Sequence, residues 1–524
     1  MALTETRPET ERRDDTTPAP TPPSAVERLI GSGDHLTIGR LYIGFALFFL
    51  ALGALGLGVH SLDRMTVDGV LGLTEVLRWT SLVAMVLMGV MPLLLGLAIF
   101  IVPRQVASPA IAFPRAAALS LWTWLIGGVL FITSAVLDGG IGGTDTEAVR
   151  LGSLSMGVMM AALSLGSVCV ATTVLSHRPL GMGLARVPFF AWSMLVATPI
   201  WILTFGSTIA HVWLGRVADA DAAGLTVGFV DGIAWFLRAP SVYLLAIPVL
   251  GIVADVIVLA TGRRLSTYGV MQGLIAAYGV ASFGVWTQSP GGTENIVWVA
   301  FVLAAAVPVL GLIGLAGENL RHGKVNASVA LVGALLAPLL ILGGVAAAAV
   351  QAVDQAGSGN LWSLDAQMLL WAQASFLLGA AAVGGVVGLA HWSPRLWNAA
   401  APQGAGIGAA VLLFIGSGTL ATIHLVQSIA AREGEAGLVR GALFGVTIAA
   451  VLLIALGALS ALAMVLGAAS AGNDTPAPDD DTAMTLEWWP VGPVIAGDVD
   501  VEVPPVTSPY PLADLREGPE EDDA

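Results

Sequence analysis

Seven histidines, one cysteine and one acid set deep in apolar sequence are the residues of this chain with the most chemical reach. Imidazole, thiolate and thioether groups are the usual protein donors to haem iron and copper. A lone Cys169 excludes both a cluster held by several cysteines and a disulfide within the chain. It is expected to be a small buried hydrophobe. The histidines are scattered along the chain, so a redox core requires the fold to bring them together. His211 and His424 both stand toward the same end of their apolar runs and are the pair that could make a new two-histidine site. His60 and His391 fall at run ends, and His35, His177 and His322 in loops or a tail, where structural or solvated roles are expected. An acid within an apolar run is costly and by default marks function. That acid is Asp255, and the nearby Arg263 and Arg264 make an interfacial ion pair its expected state.

The elements that must position these groups follow from composition. The chain has 524 residues, 56% hydrophobic and only 11% charged, with a mean hydropathy of +0.83. Soluble domains carry about a quarter charged residues, so this is an integral membrane protein. Lys324 is its one lysine among 22 basic residues, which excludes polylysine-type binding to nucleic acid or lipid. Apolar runs of about 20 residues recur near 41–60, 78–102, 116–137, 151–176, 189–211, 240–261, 268–288, 294–316, 326–352, 366–390, 404–428 and 437–470. The stretch 212–239 is long enough for a partial interfacial helix. Glycine, 63 in all, suits close helix packing.

The net charge of -15 belongs to two tails, an N-terminal one over 1–40 expected to be disordered and an acidic, Pro-rich one over 472–524 expected to be mostly extended. The body between them, 41–471, is balanced. No apolar stretch precedes Leu41, so the first run is expected to be a retained helix. Twelve spans put both tails on one side. The loops on that side hold Arg104, Arg115, Arg178, Arg186, Arg263, Arg264, Arg321, Lys324 and Arg395 against Glu318, whereas the opposite loops are rich in acids such as Asp138, Asp145, Glu147, Asp354 and Asp365. Both termini are therefore expected to be cytoplasmic.

Four groups of residues carry a resemblance. Asp34-His35-Leu36-Thr37-Ile38-Gly39-Arg40-Leu41-Tyr42 leads into the first run. Met91-Pro92-Leu93-Leu94, Ile101-Val102-Pro103 and Ala112-Phe113-Pro114-Arg115 follow, then Pro240, Val242, Tyr243, Pro248 and Gly251. Near the end stand Thr485-Leu486-Glu487-Trp488 and Ser508-Pro509-Tyr510-Pro511-Leu512. Together these resemble subunit I of the haem-copper oxidases, the cytochrome c oxidase catalytic subunit, in its actinobacterial type. The resemblance implies an all-α, twelve-helix bundle.

That family binds a low-spin haem, a high-spin haem and a copper ion through six histidines, and the resemblance places none of them here. The second-span position, eleven residues before Pro92, is Ser81. The copper position before Pro240 is Ala239, and the pair that follows Trp286-Thr287 is Gln288 and Ser289. The two tenth-span positions are Ala372 and Ala374. Methyl, hydroxyl and amide groups do not replace imidazole on these metals. The family's proton-path acids and lysine correspond to Ala110, Ser241 and Leu312. Tyr243 stands where the family has a tyrosine beside the copper, and is the residual catalytic candidate. A buried phenol bonded to a neighbour is the plainer expectation for it.

The reading that follows is a degenerate subunit I without haem, copper or other metal, a pseudoenzyme kept as a scaffold or accessory subunit of a respiratory or other membrane complex. Its expected partners are other membrane subunits, of the oxidase subunit II and III kind, and lipid, with no nucleic acid. Its expected location is the bacterial plasma membrane. The alternative is a working terminal oxidase that oxidises cytochrome c and reduces oxygen, with non-standard ligands from His211, His424 or a partner. A third is a repurposed channel or carrier, in which Gln288, Ser289, Gln373 and Ser375 would form a polar cluster.

Overall fold

Within a hydrocarbon core no water satisfies a bare peptide group, so apolar runs of spanning length fold as helices. A computed structural model of the chain describes residues 31–63, 74–218, 227–287, 296–323, 325, 327–356, 361–432, 436–471, 483–489 and 503–517. Among the described residues there is no strand. Twelve helices are long and apolar enough to cross a membrane: His35–His60, Val76–Gln105, Pro114–Val136, Thr146–Ser176, Phe189–Leu214, Gly232–Thr261, Tyr268–Trp286, Ile296–His322, Val329–Gln355, Ala366–His391, Gln403–Ala431 and Gly441–Ser470. They are called here the first to twelfth spans, and they fall on the twelve runs read from the sequence. A further helix, Val227–Arg238, lies in the stretch where a partial helix is expected.

Span ends carry local signals that stop or start a helix. Pro114 and Pro240 begin the helices Pro114–Val136 and Pro240–Thr261, where a missing N–H is no loss. Asp145, Ser328 and Asp365 accept hydrogen bonds from the first-turn amides of the fourth, ninth and tenth spans. Gly262, at φ +59°, closes the sixth in the left-handed conformation.

Burial ranks the spans by depth. The most apolar stretch of the second is wholly buried and those of the sixth and tenth are 94% and 83% buried, against 39% for the third and eleventh and 33% for the eighth. The second, sixth and tenth spans are therefore central. The first packs onto the second through glycine: a Cβ on Gly96 would lie 2.6 Å from Tyr42 Cβ, and one on Gly39 would lie 2.9 Å from the Gly96 carbonyl.

The second span is not a regular α-helix throughout. Ala84–Val90 is a wholly buried π-helical segment, in which Met91 N–H bonds Val86 C=O five residues back. The equivalent donor for Leu87 would be Pro92, which has no N–H. Trp124 of the third span supplies one instead, its Nε1–H donating to Leu87 C=O at 2.9 Å.

Two short pieces of the described part of the C-terminal tail are helical. Leu486–Trp488 forms a 3-10 turn and Pro511–Glu517 a short helix. Leu486, Glu487, Trp488, Tyr510 and Leu512 are buried against the end of the bundle that bears the termini. Loop arginines hold these pieces down: Arg264 pairs with Asp514 at 2.8 Å and Glu517 at 2.7 Å, Arg186 Nη1 donates to Val506 C=O at 2.9 Å, and Arg395 Nη2 donates to Trp489 C=O at 3.1 Å. Among the described residues of the tail, Met484, Leu486, Trp488, Val506, Tyr510 and Leu512 are seated in the bundle, whereas Val503 and Leu515 are exposed.

Candidate functional site

The three central spans carry every described position at which the resemblance would put a metal ligand. Ala239, Ala372 and Ala374 are buried and present methyl groups. Ser81 is buried, but its hydroxyl donates to Leu77 C=O of its own helix at 2.7 Å, and a methyl group on Gly56 of the first span would overlap its oxygen. These side chains offer no donor set for haem iron or copper, so the family's groups do not fit at these positions. Gln288 and Ser289 lie outside the described residues. Of the proton-path positions, Leu312 is buried and Ala110 sits in the loop after the second span, where its carbonyl accepts from Ser108 Oγ at 2.6 Å; Ser241 is described only for its place in the sixth span's helix.

Tyr243 is buried and stacks on Tyr278 of the seventh span, with ring centroids 6.4 Å apart. The expected hydrogen bond to a neighbour is not made: among the described residues neither phenol oxygen has a partner. Gln373, fully buried beside Ala372, likewise has no partner for either amide atom, while Ser375 bonds Trp371 C=O at 2.8 Å and meets His424 Nδ1 at 3.3 Å. Gln373 and Ser375 therefore do not form the polar cluster considered for a carrier.

A cavity of about 620 Å³ lies between the first, second, tenth, eleventh and twelfth spans. Most of its wall is aliphatic, including Leu82, Met85, Ala374 and Leu413, but one end holds His60, Arg78, Asp365, His424 and Gln427. His211 is not part of it. It lies on the fifth span, exposed, with its ring so near Gly232 that a methyl there would overlap it, so the fold does not bring His211 and His424 to one cavity. Among the described residues no group of three or more histidine, cysteine or acidic side chains is placed to hold a metal ion.

A stack that sequence reading missed stands at the polar end. Trp79 of the second span and Trp371 of the tenth lie 5.8 Å apart, with the Arg78 guanidinium 4.8 Å from the Trp79 ring centre and that of Arg238 5.0 Å from the Trp371 ring centre. Arg238 also donates to Ala234 C=O at 3.0 Å and to Gln367 Oε1 at 2.9 Å. Planar guanidinium on indole is favourable where water is scarce. The one signal in the sequence was an arginine directly before Ala239-Pro240 in an apolar context. The cavity thus joins an aliphatic wall to a polar end that carries both signs of charge, Arg78 and Asp365, with the imidazoles of His60 and His424.

Asp255 is not in the ion pair expected of it. Its Oδ1 accepts Phe189 N–H at 3.1 Å and its Oδ2 accepts Phe190 N–H at 3.0 Å, so it caps the start of the fifth span; Oδ2 also accepts Gln105 Nε2 at 2.9 Å. Arg264 is occupied by the tail.

Twelve spans about three central ones define a polytopic membrane protein. The chain belongs to the family described as Cytochrome C and Quinol oxidase polypeptide I, whose model matches residues 37–362. It is similar to cytochrome c oxidase subunit 1 of Corynebacterium glutamicum, 29% identical over 283 residues, 49% of this chain and 48% of that protein. It is also similar to quinol oxidase subunit 1 of Bacillus subtilis, 29% identical over 280 residues, 49% of this chain and 43% of that protein. The chain thus spans about half the length of the curated relatives it matches. A solved heme-copper terminal oxidase dimer shares the fold, with a TM-score of 0.59 at 11% identity over 87% of this chain and 86% of that one.

Proposed function

We propose that this chain is a non-catalytic member of its family, kept as a membrane scaffold or accessory subunit in the bacterial plasma membrane among subunits of the oxidase subunit II and III kind. One observation carries the reading: the central spans present Ala239, Ala372, Ala374 and a self-bonded Ser81 at the positions where the family resemblance calls for ligands. A terminal oxidase moves electrons through those metals, and without donors it has no route for them. The polar-ended cavity beside Ala374 then serves as a pocket for an amphipathic molecule.

A second reading rests on His60 and His424, two imidazoles on the wall of the same cavity. They are the residues through which a tetrapyrrole could still be held. One experiment separates the readings: the full chain, purified from a host supplied with haem and copper, is examined by reduced-minus-oxidised absorption and by metal analysis. The scaffold reading expects less than a tenth of an equivalent of haem and of copper. Haem at one equivalent, lost in the variant His424→Ala, overturns it in favour of the second.

A further inference from the structure

Two carboxylates meet at the terminus-bearing end of the bundle, far from the cavity just described. Asp255 belongs to the sixth span and Glu487 to the C-terminal tail. Both are more than nine-tenths buried, at 7% and 1% exposure. A single amide joins them: Gln105 Nε2 donates to Asp255 Oδ2 at 2.9 Å and to Glu487 Oε1 at 3.2 Å, while Gln105 Oε1 accepts Ala191 N–H at 3.0 Å and so fixes which way the amide faces. No cation lies within ion-pair distance of either carboxylate among the described residues. Two bare charges cannot share so dry a site.

A second observation points to what they hold. A small, partly open space of about 10 Å³, room for one water, adjoins the pair. Two buried polar atoms without partners belong to residues on its wall: Glu487 Oε2 and His391 Nε2, the latter on a residue 7% exposed at the end of the tenth span. Asp255 already accepts three N–H donors, which suits its ionised form. Glu487 Oε2 accepts nothing, which suits a hydroxyl.

We propose that Asp255 and Glu487 form a binding site for one proton, closed by the C-terminal tail. The proton is taken from the aqueous phase on the tail's side and rests on Glu487 Oε2. It donates to a water in the small space, and that water donates on to His391 Nε2. Because the tail carries Glu487, tail seating and proton binding are one event. Glu487 is also faced by the Thr485 side chain, which hydrogen-bonds its carboxyl, by the Arg395 guanidinium, 5.7 Å from the Trp488 ring centre, and by the phenols of Tyr268 and Tyr510. Neither phenol is charged near neutrality; the Arg395 guanidinium, which donates to the Trp489 carbonyl, favours an ionised Glu487 but by less than burial opposes it.

Burial pushes the Glu487 carboxyl above its ordinary range when the tail is seated. A seated tail therefore binds more protons than a free one. Seating is complete below the ordinary carboxylate range of about 4.5 and weakens as pH rises through the raised value, by about tenfold per pH unit for one proton.

The test uses the full chain in lipid nanodiscs. Hydrogen exchange of residues 484–489, corrected for the intrinsic pH dependence of exchange, is expected to show protection that falls as pH rises from about 5 to about 9. Infrared spectra are expected to show a protonated-carboxyl band that titrates over the same interval. Glu487→Gln removes that band and holds the tail seated at every pH; Asp255→Asn, whose single carbonyl oxygen can keep only one of the caps on Phe189 and Phe190, also flattens the profile. Protection independent of pH in the natural protein with no protonated-carboxyl band would overturn the proposal. So would restoration of seating at high pH by sodium but not choline salts, which would make the ligand a metal cation.

Discussion

Arg238 shows how much a single residue can do when its partners come from elsewhere in the chain. Its guanidinium lies against two indoles and donates to two carbonyl-type oxygens, and it is only 7% exposed. Arg238→Met keeps the aliphatic stem but loses both sets of contacts, and unfolding in detergent is expected to show a loss of about 1–3 kcal/mol. Arg238→Lys recovers less than half of it, because an ammonium neither stacks nor forks; full recovery would mean that the stack contributes nothing beyond charge. Asp255 teaches the matching lesson about legibility. From sequence the nearest cations, Arg263 and Arg264, look like its partners. The actual partners sit 65, 66 and 150 residues away, and no local pattern marks them. Tyr243 could be placed by its neighbours in the motif, but whether its hydroxyl found a partner depended on side chains from other spans.

At the level of elements, the twelve spans were readable because the bilayer demands a minimum apolar length, a constraint that acts on each run independently of its neighbours. The π-helical segment was not readable, because Ala84–Val90 is as apolar and helix-compatible as the turns around it. Its cause becomes visible only in three dimensions: Pro92 cannot donate to Leu87, and Trp124 does so from the next span. Trp124→Phe is therefore expected to leave a buried carbonyl without a donor. The loss is about 1–3 kcal/mol, with faster amide exchange confined to residues 84–91 of the second span. Uniform destabilisation without a local change in exchange would show that the indole matters only as bulk. The candidate cavity was half legible: His424 was singled out in the sequence, but Arg78, Trp79 and Trp371 come together only where the second and tenth spans cross.

On the scale of the whole molecule, the twelve spans among the described residues and the arginines of the loops on the tails' side lead us to propose that both termini face the cytoplasm. A cysteine placed at Ser508 in a Cys169→Ala background is expected to react with a membrane-impermeant maleimide in inverted vesicles and not in intact cells; the reverse pattern would reject this orientation. Arg186, Arg264 and Arg395, three of those orienting arginines, are also the residues that grip the tail. Translation runs from the first span to the last, so these cations are bare while the membrane-insertion machinery reads them. The acidic segment that covers them emerges only after the twelfth span. In the proposed orientation the same three side chains act twice in succession, first as an address and later as a dock, and the order of synthesis keeps the second use from erasing the first.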